Sequence, residues 1–430
     1  MVMKNNTLDG YIKTSEIGEK QVEHIDEPIQ KQGKTPEIRY PEYTEEWQKY
    51  KIKDITNNFD KQRVPITANL RISGSTPYYG ANGIQDHVEG FTHDGEFVLV
   101  AEDGASDLIN YPVQYVKGKI WVNNHAHVLQ GKSEICNTNF LSFCINQAEI
   151  RPYLVGGGRS KLNAEVMMGI NLNIPSLPEQ QQVGQFFQKI DQQITIQQEK
   201  IQHQKQTKQA LLQQMFPTGD STIPKIRYPG YDDEWCEYKL GETIKELKSG
   251  LSRKLSNQDI GLPVVRTNNI KNNIFNIDYD VKYWYVNDPQ GAKTENYLIE
   301  ENDILINFIN GSSSQIGTSA VVLSKPNRDM IYTTNILKAS LKDDFDTYFW
   351  FLLTQTYNYH KDILKIMKPA VQNSFTTVDF KKLRYNFPSL PEQQQIGEFF
   401  KKIDQQIQLN QNKLEDMKQM KKGLMQRMFV

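Results

Sequence analysis

Residues 174–217 read IPSLPEQQQVGQFFQKIDQQITIQQEKIQHQKQTKQALLQQMFP, and residues 387–430 read FPSLPEQQQIGEFFKKIDQQIQLNQNKLEDMKQMKKGLMQRMFV. Without a gap, 26 of the 44 aligned positions are identical. A shorter repeat precedes each of these segments: IRYPEYTEEWQKYK begins at residue 38, and IRYPGYDDEWCEYK begins at residue 226. Repetition on this scale predicts that the chain contains two copies of one structural plan.

The longer repeat predicts a long helix in each copy. Ser176 and Ser389 stand where a helix would begin, and Glu179 and Glu392 follow three residues later, which is the pattern of a capping box. Apolar residues then recur mostly at steps of three, four and seven, a spacing typical of a heptad seam. The predicted seam consists of Phe187, Ile190, Ile194 and Ile201 in the first copy and Phe400, Ile403, Ile407 and Leu414 in the second.

Two arrangements of these helices are open from the sequence. Each helix could pack separately on its own domain, or the two seams could pair with each other. Matched seams of equal length favour pairing, and an approximate two-fold relation between the copies would make the pair antiparallel. Such a pair would act as a ruler between two globular domains.

The repeats divide the chain into five segments. Strand signals such as Glu96–Val100 and Asp303–Asn307 dominate between the repeats, and Asn82-Gly83 and Asp94-Gly95 are turn signals. The predicted fold class is therefore α+β, with mixed or antiparallel sheets in two pseudo-two-fold related domains. The segments are a polar leader at 1–36, a first domain at 37–173, a helix at 174–217, a second domain at 218–386 and a final helix at 387–430.

Composition adds limits on the class of protein. The formal net charge is −1, so bulk charge does not indicate a nucleic-acid partner. The three cysteines have neither zinc spacing nor an even count, which suits a reducing compartment. The sequence contains no signal-peptide pattern and no apolar run long enough to cross a membrane, and we therefore expect a cytoplasmic protein.

The order of these segments resembles the specificity (S) subunit of a type I restriction–modification system. The resemblance rests on the duplicated PSLPEQQQ-x-G-x-FF-x-K-I-D-Q-Q-I helix, which alternates with two diverged domains. The stretch from Trp235 to Glu242, and the openings Ser75–Gly83 and Pro263–Ile270 of the two domains, are similar to that family as well. The similarity covers about residues 38–430 and leaves the leader outside.

The resemblance implies a non-catalytic subunit that binds a bipartite DNA sequence, with one half-site for each domain. It also implies two methyltransferase (M) subunits and restriction (R) motor–nuclease subunits as partners. S-adenosylmethionine, ATP and Mg²⁺ would then be held by these partners and not by this chain. The sequence agrees, because it contains no phosphate-binding loop of the Gly-x-x-x-x-Gly-Lys type and no Asn-Pro-Pro-aromatic tetrapeptide.

Candidate DNA-reading residues are polar and basic side chains in the loops of each domain, because Arg, Lys, Asn and Gln match base edges and phosphates. In the first domain they are Lys61, Arg63, Arg71, Tyr78, Tyr79, Asn82, Arg159, Lys161 and Asn163. In the second domain they are Arg253, Lys254, Arg266, Asn268, Asn269, Lys271, Asn310, Ser312, Ser313, Gln372, Asn373 and Ser374. Solvated surface is an equally good interpretation of any one of them taken alone.

Competing functions remain open at this stage. A coiled-coil scaffold with protein- or glycan-binding domains would also suit Asn- and Tyr-rich loops. A self-sufficient nuclease is disfavoured, because no stretch places several carboxylates together. His125 and His127 have the spacing of two metal ligands on one strand, but ordinary surface or partner contact is the more common role, and we predict no metal site.

Overall fold

The computed structural model describes residues 35–156, 160–219, 221–369 and 371–430. These residues form two compact units. Unit 1 contains the described residues up to Gln188 together with Lys421–Val430, and unit 2 contains Lys189–Met420. Both unit boundaries therefore fall inside the repeated segments. In the described ranges, no helix combines the length and the apolar character needed to span a bilayer.

Unit 1 is built around a six-stranded sheet. Its strand order is β2-β7-β5-β6-β3-β4, and every pairing is antiparallel except that of β3 with β6. A separate antiparallel pair, β1–β8, joins the first and last strands of the unit. The elements are β1 (Gln48–Lys51), α1 (Ile52–Ile55), β2 (Thr56–Asn58), β3 (Ser73–Gly80), β4 (Gly83–Val88), β5 (His93–Ala101), β6 (Val113–Val122), β7 (Ala126–Gly131), α2 (Thr138–Gln147), α3 (Ala164–Met168), β8 (Asn171–Ile174) and the start of α4 (Leu177–Met215).

The sheet of unit 1 follows the predicted strand pattern with one exception. Phe97, Leu99, Val116 and Val128 alternate into one buried cluster, as expected of strands with one covered face. Asn82-Gly83 forms the predicted turn between β3 and β4. Asp94-Gly95 does not form a turn: it lies inside β5, where Gly95 pairs with Gly118 of β6.

Unit 2 carries a four-stranded antiparallel sheet, β10-β19-β15-β17, and a mixed three-stranded sheet, β14-β11-β18. The α+β class with mixed and antiparallel sheets is therefore confirmed. The elements are β9 (Cys236–Lys239), α5 (Leu240–Thr243), β10 (Ile244–Ser249), β11 (Gly261–Val265), β12 (Ile270–Lys271), β13 (Ile274–Phe275), β14 (Tyr283–Tyr285), β15 (Ile304–Asn307), β16 (Ile309–Asn310), β17 (Ser319–Val321), β18 (Ile331–Tyr332), β19 (Ile336–Leu341), α6 (Thr347–Leu353), α7 (Tyr357–Ile366), β20 (Asn373–Ser374), α8 (Thr377–Lys382), β21 (Arg384–Phe387) and α9 (Leu390–Met428).

The repeated helices α4 and α9 are each 39 residues long. Their first-turn glutamates do not form the predicted capping boxes. Glu179 is 1% exposed and accepts two hydrogen bonds from Arg39, at 2.7 and 2.8 Å. Glu392 accepts the same pair of bonds from Arg227, also at 2.7 and 2.8 Å. The two repeats of the sequence thus meet in space, because the arginine of IRYP binds the glutamate of SLPE in each unit.

A helical glycine in each repeat permits close packing of the preceding domain helix. A Cβ atom on Gly397 would lie 2.6 Å from Oδ1 of Asp346, and one on Gly184 would lie 3.2 Å from the backbone nitrogen of Phe140. The Asp346 carboxylate caps α6 by accepting a bond from the Phe349 nitrogen. The glycines therefore make room for the capped N-terminus of α2 in unit 1 and of α6 in unit 2.

Each unit also contains an aromatic pocket filled by the end of a long helix. In unit 1, Phe429 lies beyond the end of α9 and packs against Trp47 and stacks on Phe140. In unit 2, Phe216 follows α4, packs against Trp235 and stacks on Phe349. Each unit is thus completed by the beginning of one repeated helix and the end of the other.

Within unit 2 the two helices pair in opposite directions. Lys208 forms an ion pair with Asp404 at 2.7 Å, Gln204 accepts a bond from Asn410 at 2.9 Å, and Gln197 donates to the Asn410 backbone. Because the partner number falls as the residue number rises, the pair is antiparallel. Of the predicted seam residues, Ile190, Ile201 and Ile407 are buried, and Ile194, Ile403 and Leu414 are half-buried.

The two seam phenylalanines belong to the domain cores. Phe187 is fully buried in unit 1 and packs on Phe143 of α2 and on Phe429. Phe400 is fully buried in the main hydrophobic cluster of unit 2. These two phenylalanines anchor each helix to a domain. Packing on a domain, the first of the two arrangements open from the sequence, therefore describes the ends of the helices. Pairing, the second arrangement, describes their centre.

Candidate nucleic-acid interface

Equivalent hairpin loops occur in the two units. In unit 1, Val155 and Lys161 exchange backbone hydrogen bonds of 2.9 and 2.8 Å. In unit 2, Lys368 and Ser374 exchange bonds of 2.7 and 3.3 Å. Both members of the second pair lie 213 residues beyond those of the first, which is the offset of the long repeat. The two loops therefore occupy equivalent places in the repeated frame, although Arg159 lies outside the described residues.

The structure brings two of the predicted polar stretches of the second domain together. Strands β16 and β20 pair Asn310 with Asn373, and the Asn373 side chain donates to the carbonyl oxygen of Gly311 at 3.2 Å. Ser312 and Ser313 are exposed beside this pair, and Gln372, which immediately precedes β20, is exposed as well. The residues from Asn310 to Ser313 and from Gln372 to Ser374 therefore form one polar surface, which we call the β16–β20 edge.

A charged network lies beneath the corresponding loop of the first domain. Arg63 donates to Glu102 at 2.6 Å and to the carbonyl oxygen of Ala126 at 2.9 Å. Lys161 pairs with the other oxygen of Glu102 at 3.0 Å and keeps 47% of its side chain exposed. Burial alone would raise the pKa of Glu102, but the hydrogen bonds from Arg63 and Lys161 lower it on balance. Arg63 thus stabilises the domain, and Lys161 is the member of the pair that reaches the surface.

His127 is the buried centre of this network. Its Nδ1 lies 2.7 Å from Oδ2 of Asp60, and its Nε2 lies 2.9 Å from the carbonyl oxygen of Leu162. Desolvation would raise the pKa of Asp60, yet the hydrogen bond and charge of His127 lower it on balance. The ring therefore ties Asp60 to the backbone of Leu162 at the base of the hairpin.

Three residues of this network could together bind a metal ion, and the structure groups His127 with Asp60 and Glu102 and not with His125. Ligand atoms of Asp60, Glu102 and His127 lie within 4.8 Å of one another. However, both ring nitrogens of His127 already have acceptors, and Arg63 and Lys161 balance the carboxylates. The arrangement therefore fits an internal ion-pair network better than a cation site.

Several candidate residues of the first domain are held by contacts within that domain. Tyr78 is 1% exposed, its hydroxyl bonds to the backbone of Ile66, and the Arg71 guanidinium lies 4.2 Å from its ring centroid. Tyr79 is half-buried against the sheet core. Asn82 holds a loop by bonding to the Gly104 carbonyl and the Ser106 nitrogen. The candidate Tyr78 therefore has almost no surface to present to DNA, because Arg71 packs on its ring and its hydroxyl is bonded to Ile66.

Lys61 and Asn163 complete the first-domain set. Lys61 is exposed in the short 3₁₀ turn Asp60–Gln62, beside the charged network. Asn163 is half-buried and precedes α3, where its side chain makes no capping bond. Lys61 and Lys161 are therefore the two basic candidates of the described first domain that present charge to solvent.

In the second domain, two candidate arginines are held by aspartates. Arg253 binds Asp288 at 2.5 Å, and the hydrogen bond from Arg253 holds the pKa of that carboxyl well below its usual range. Arg266 binds Asp280 at 2.9 Å, and hydrogen bonds from Lys282 and Arg266 lower the pKa of Asp280 to about 2. Arg253 is an internal structural residue, because its aspartate partner is itself buried.

The turn after Arg266 is organised by Asn269, which is also internal. Its side chain accepts from the Arg266 nitrogen and donates to the carbonyl oxygens of Asn276 and Tyr279, all at 2.8–2.9 Å. Asn268 is different, since its Oδ1 atom is buried without a hydrogen-bond partner among the described residues. Lys271 is exposed with its ammonium 4.7 Å from the Tyr279 ring, and Lys254 is exposed as well.

Sequence reasoning missed a basic groove in unit 2. A cavity of about 1250 Å³ lies between the long helices and the second domain. Its lining includes Lys205, Lys325, Arg328 and Lys401. The run Ser324-Lys325-Pro326-Asn327-Arg328 could have indicated a basic loop, but nothing in the sequence indicates that this loop faces the helices.

Comparison with known proteins places these features in a family. The model of the type I restriction modification DNA specificity domain matches twice, at residues 44–205 and 232–419. The two matches cover most of the chain and coincide with the two copies of the repeat. The chain therefore belongs to the type I restriction modification DNA specificity family, as its duplicated helix predicted.

Individual relatives agree with this assignment. A putative type I restriction enzyme specificity subunit of Haemophilus influenzae is 44% identical over 132 residues, which is 31% of this chain and 34% of that protein. The MjaVIII specificity subunit of Methanocaldococcus jannaschii is 19% identical over 412 residues, 90% of this chain and 92% of that protein. The chain thus spans about a third of the length of the more similar relative.

A solved structure shares the fold. The S subunit of a type I restriction–modification system from M. genitalium superposes with a TM-score of 0.63 and 13% sequence identity. The alignment covers 92% of this chain and 99% of that one. At this identity the likeness establishes the fold alone.

Proposed function

We propose that this chain is the non-catalytic DNA-specificity subunit of a type I restriction–modification system. It reads a bipartite target, with one half-site for each unit. The observation that carries this proposal is that the two units share the same structural contacts but present different side chains at their surfaces. The Arg39–Glu179 and Arg227–Glu392 pairs and the two equivalent hairpins repeat, while the side chains that the loops present differ.

The exposed polar residues suggest how the two half-sites are read. In the first unit, Lys61 and Lys161 are placed to contact phosphates, since ammonium groups suit the backbone charge. In the second unit, the β16–β20 edge offers amide and hydroxyl groups suited to base edges, and Lys254 and Lys271 suit phosphates. The inward-facing Tyr78, Arg253 and Asn269 support these surfaces.

Arg266 and Asn268 keep their proposed role in base recognition. The Arg266 side chain is 22% exposed and paired with Asp280, itself 46% exposed, so an incoming base or phosphate could compete for its guanidinium. Asn268 has an unpaired amide oxygen that a base amino group would satisfy. A wrong base would leave the Arg266 guanidinium or the Asn268 amide oxygen without a hydrogen-bond partner, and this cost would favour the correct half-site.

Catalysis belongs to partners in this proposal. Two methyltransferase subunits bring S-adenosylmethionine, and motor–nuclease subunits bring ATP and Mg²⁺. The near-neutral charge of the chain supports this division, because a protein that binds DNA alone usually carries a basic excess. A cytoplasmic location remains a prediction of the same scheme.

The decisive experiment combines binding and methylation. The chain is purified alone and together with a partner adenine methyltransferase subunit, and each preparation is mixed with a randomised duplex library. We expect the pair to select two short defined blocks separated by a fixed gap and to methylate adenine within them, while the chain alone transfers no methyl group. Selection of a single continuous block, or methyl transfer by the chain alone, contradicts the proposal.

A further inference from the structure

The hairpin that follows α7 in unit 2 carries an aliphatic residue at its tip. Lys368 and Ser374 close this hairpin by exchanging two backbone hydrogen bonds, and Val371 lies between them. Val371 is 99% exposed, the largest exposed fraction among the large apolar residues that the structure describes. Single exposed aliphatic residues are common on protein surfaces, so the meaning of this one depends on how it is held and on what surrounds it.

The hairpin is anchored in the core of unit 2. Phe375 belongs to the main hydrophobic cluster of the unit and stacks on Phe380, with the ring centroids 5.2 Å apart. Asn373 pairs with Asn310 across strands β20 and β16. Val371 thus lies two residues from a paired strand and four residues from a buried ring. Because the hairpin is already held, a contact made by its tip requires little further ordering of the chain.

The repeated frame does not require an aliphatic residue at this place. The equivalent hairpin of unit 1 is closed by the same exchange of backbone hydrogen bonds. At the 213-residue offset of the long repeat, Val371 corresponds to Gly158, and Gln372 corresponds to Arg159. One frame therefore has a glycine where the other has a valine. The valine is particular to the second unit, as a residue that reads only the second half-site would be.

The surroundings of Val371 suit a nucleic acid. Gln372 is exposed directly after it, and the β16–β20 edge presents amide and hydroxyl groups beside it. The segments 309–315 and 371–376, which contain this edge, hold no acidic residue. Lys368 is exposed at the base of the hairpin. DNA phosphates would therefore meet a lysine and no carboxylate from these two segments.

The base edges in the major groove present one apolar group, the 5-methyl group of thymine. Amide side chains distinguish donors from acceptors there, while an apolar side chain is needed to recognise the methyl group. A lone valine among polar neighbours matches this group in size and chemistry. Protein interfaces are instead centred on larger anchors such as Trp, Tyr and Arg.

We propose that Val371 recognises the 5-methyl group of a thymine in the second half-site, from the major groove. This role rests on the DNA-specificity function proposed above and adds one specificity-determining residue to it. The β16–β20 edge reads the hydrogen-bonding groups of neighbouring bases, and Val371 selects the pyrimidine that carries a methyl group.

The test removes only that methyl group from the DNA. The chain is combined with a partner methyltransferase subunit, and its two half-sites are identified with a randomised duplex library. Each thymine of the second half-site is then replaced in turn by uracil, which keeps every hydrogen-bonding group, and binding is measured by competition. We expect one replacement to weaken binding by about four-fold, the effect of one buried methyl group. In the Val371→Ala chain, the same replacement should change binding by less than about two-fold.

Two further variants separate the methyl contact from other effects. Val378→Ala is the matched control, because Val378 is 60% exposed on α8 and lies outside the β16–β20 edge. This variant should keep the full effect of uracil. Val371→Ile retains an aliphatic group and should keep the effect as well. Thermal midpoints should match that of the unaltered chain, because both valines are exposed.

Three results would overturn this role of Val371 while leaving the specificity function intact. They are a uracil effect of equal size in the unaltered and Val371→Ala chains, no effect of any uracil replacement, and weaker binding of the methyltransferase by Val371→Ala, which would indicate a protein contact. Selection of one continuous block, or of no sequence, would reject the specificity function itself, and the role of Val371 would fall with it.

Discussion

Gln197 donates a hydrogen bond of 2.9 Å from its amide nitrogen to the backbone oxygen of Asn410, and the same nitrogen lies 3.1 Å from the Asn410 side-chain oxygen. The two residues are 7% and 4% exposed. A buried polar pair between two helices costs desolvation and restricts the alternative registers, because any shift of the helices leaves these groups unsatisfied. The pair therefore fixes the register of α4 against α9.

Removing one partner of this pair should cost more than removing both. Asn410→Leu leaves the Gln197 amide with fewer acceptors in a buried place and should lower the free energy of unfolding by about 1–3 kcal/mol. Gln197→Leu combined with Asn410→Leu should recover most of that loss, since an apolar seam tolerates leucine. Denaturant unfolding of the three chains measures this. A double variant less stable than Asn410→Leu would contradict the interpretation.

The helical glycines should respond to alanine in a graded way. Gly397→Ala puts a methyl group 2.6 Å from the capping oxygen of Asp346 and should destabilise by about 1–3 kcal/mol. Gly184→Ala meets its nearest neighbour at 3.2 Å and should cost less. Gly423→Ala is the matched control, because no heavy atom lies within 4 Å and alanine should add up to about 1 kcal/mol. Thermal or chemical unfolding ranks the three, and equal effects would refute the packing argument.

Asp60 should give the first domain a measurable acid sensitivity. Its pKa is lowered from 3.8 in the folded protein, so its contribution to stability is complete above that value and disappears as the pH falls through the lower folded pKa. Asp60→Asn should therefore be less stable than the unaltered chain at pH 7, and the difference should shrink below about pH 4. Unfolding curves at several pH values test this. A stability difference between the two chains that persists at the lowest pH would contradict the stabilising role of the Asp60 carboxylate.

In the second domain, substitution of a base-contacting residue should have a different effect on DNA binding from substitution of a phosphate-contacting residue. Arg266→Ala or Asn268→Ala should reduce discrimination at the second half-site by about 5- to 150-fold, the range of a good bidentate contact, and leave the first half-site unchanged. Lys254→Ala should instead weaken binding to all sequences and lower the salt slope by about one. Competition between duplexes altered in one half-site, using the complex with its methyltransferase, measures both. Asn269→Ala serves as a structural control, because it should reduce stability.

The gap between half-sites should depend on the long helices. One heptad inserted within 190–212, matched by one within 403–425, adds about 10 Å of helix to each member of the antiparallel pair. We expect the defined blocks to stay the same and the spacer to lengthen by about three base pairs. Sequencing of the methylated sites reads both quantities. Altered blocks with an unchanged spacer would contradict the division between helices and domains.

Local pattern predicted the elements of this fold better than their contacts. The heptad period correctly gave two long helices, because one face of each must be covered over many turns. The capping-box interpretation failed, since the partner of Glu179 is Arg39, 140 residues away, and no local rule reports it. Tyr78, Arg253 and Asn269 were chosen for their chemistry, and only the tertiary structure reveals that this chemistry is used internally.

The aromatic pockets of Trp47 and Trp235 bear on how such chains exchange recognition domains. Because Phe429 completes unit 1 and Phe216 completes unit 2, a crossover placed at the linear border near residue 218 would give the first domain a foreign C-terminal plug. A crossover pair that bounds residues 240–386 keeps Phe429 with its native socket and Phe216 with Trp235, so the incoming domain must supply only the ring at position 349. Recombinants that survive selection should therefore have their junctions inside the repeats, so the duplicated sequence defines interchangeable cassettes as well as a scaffold.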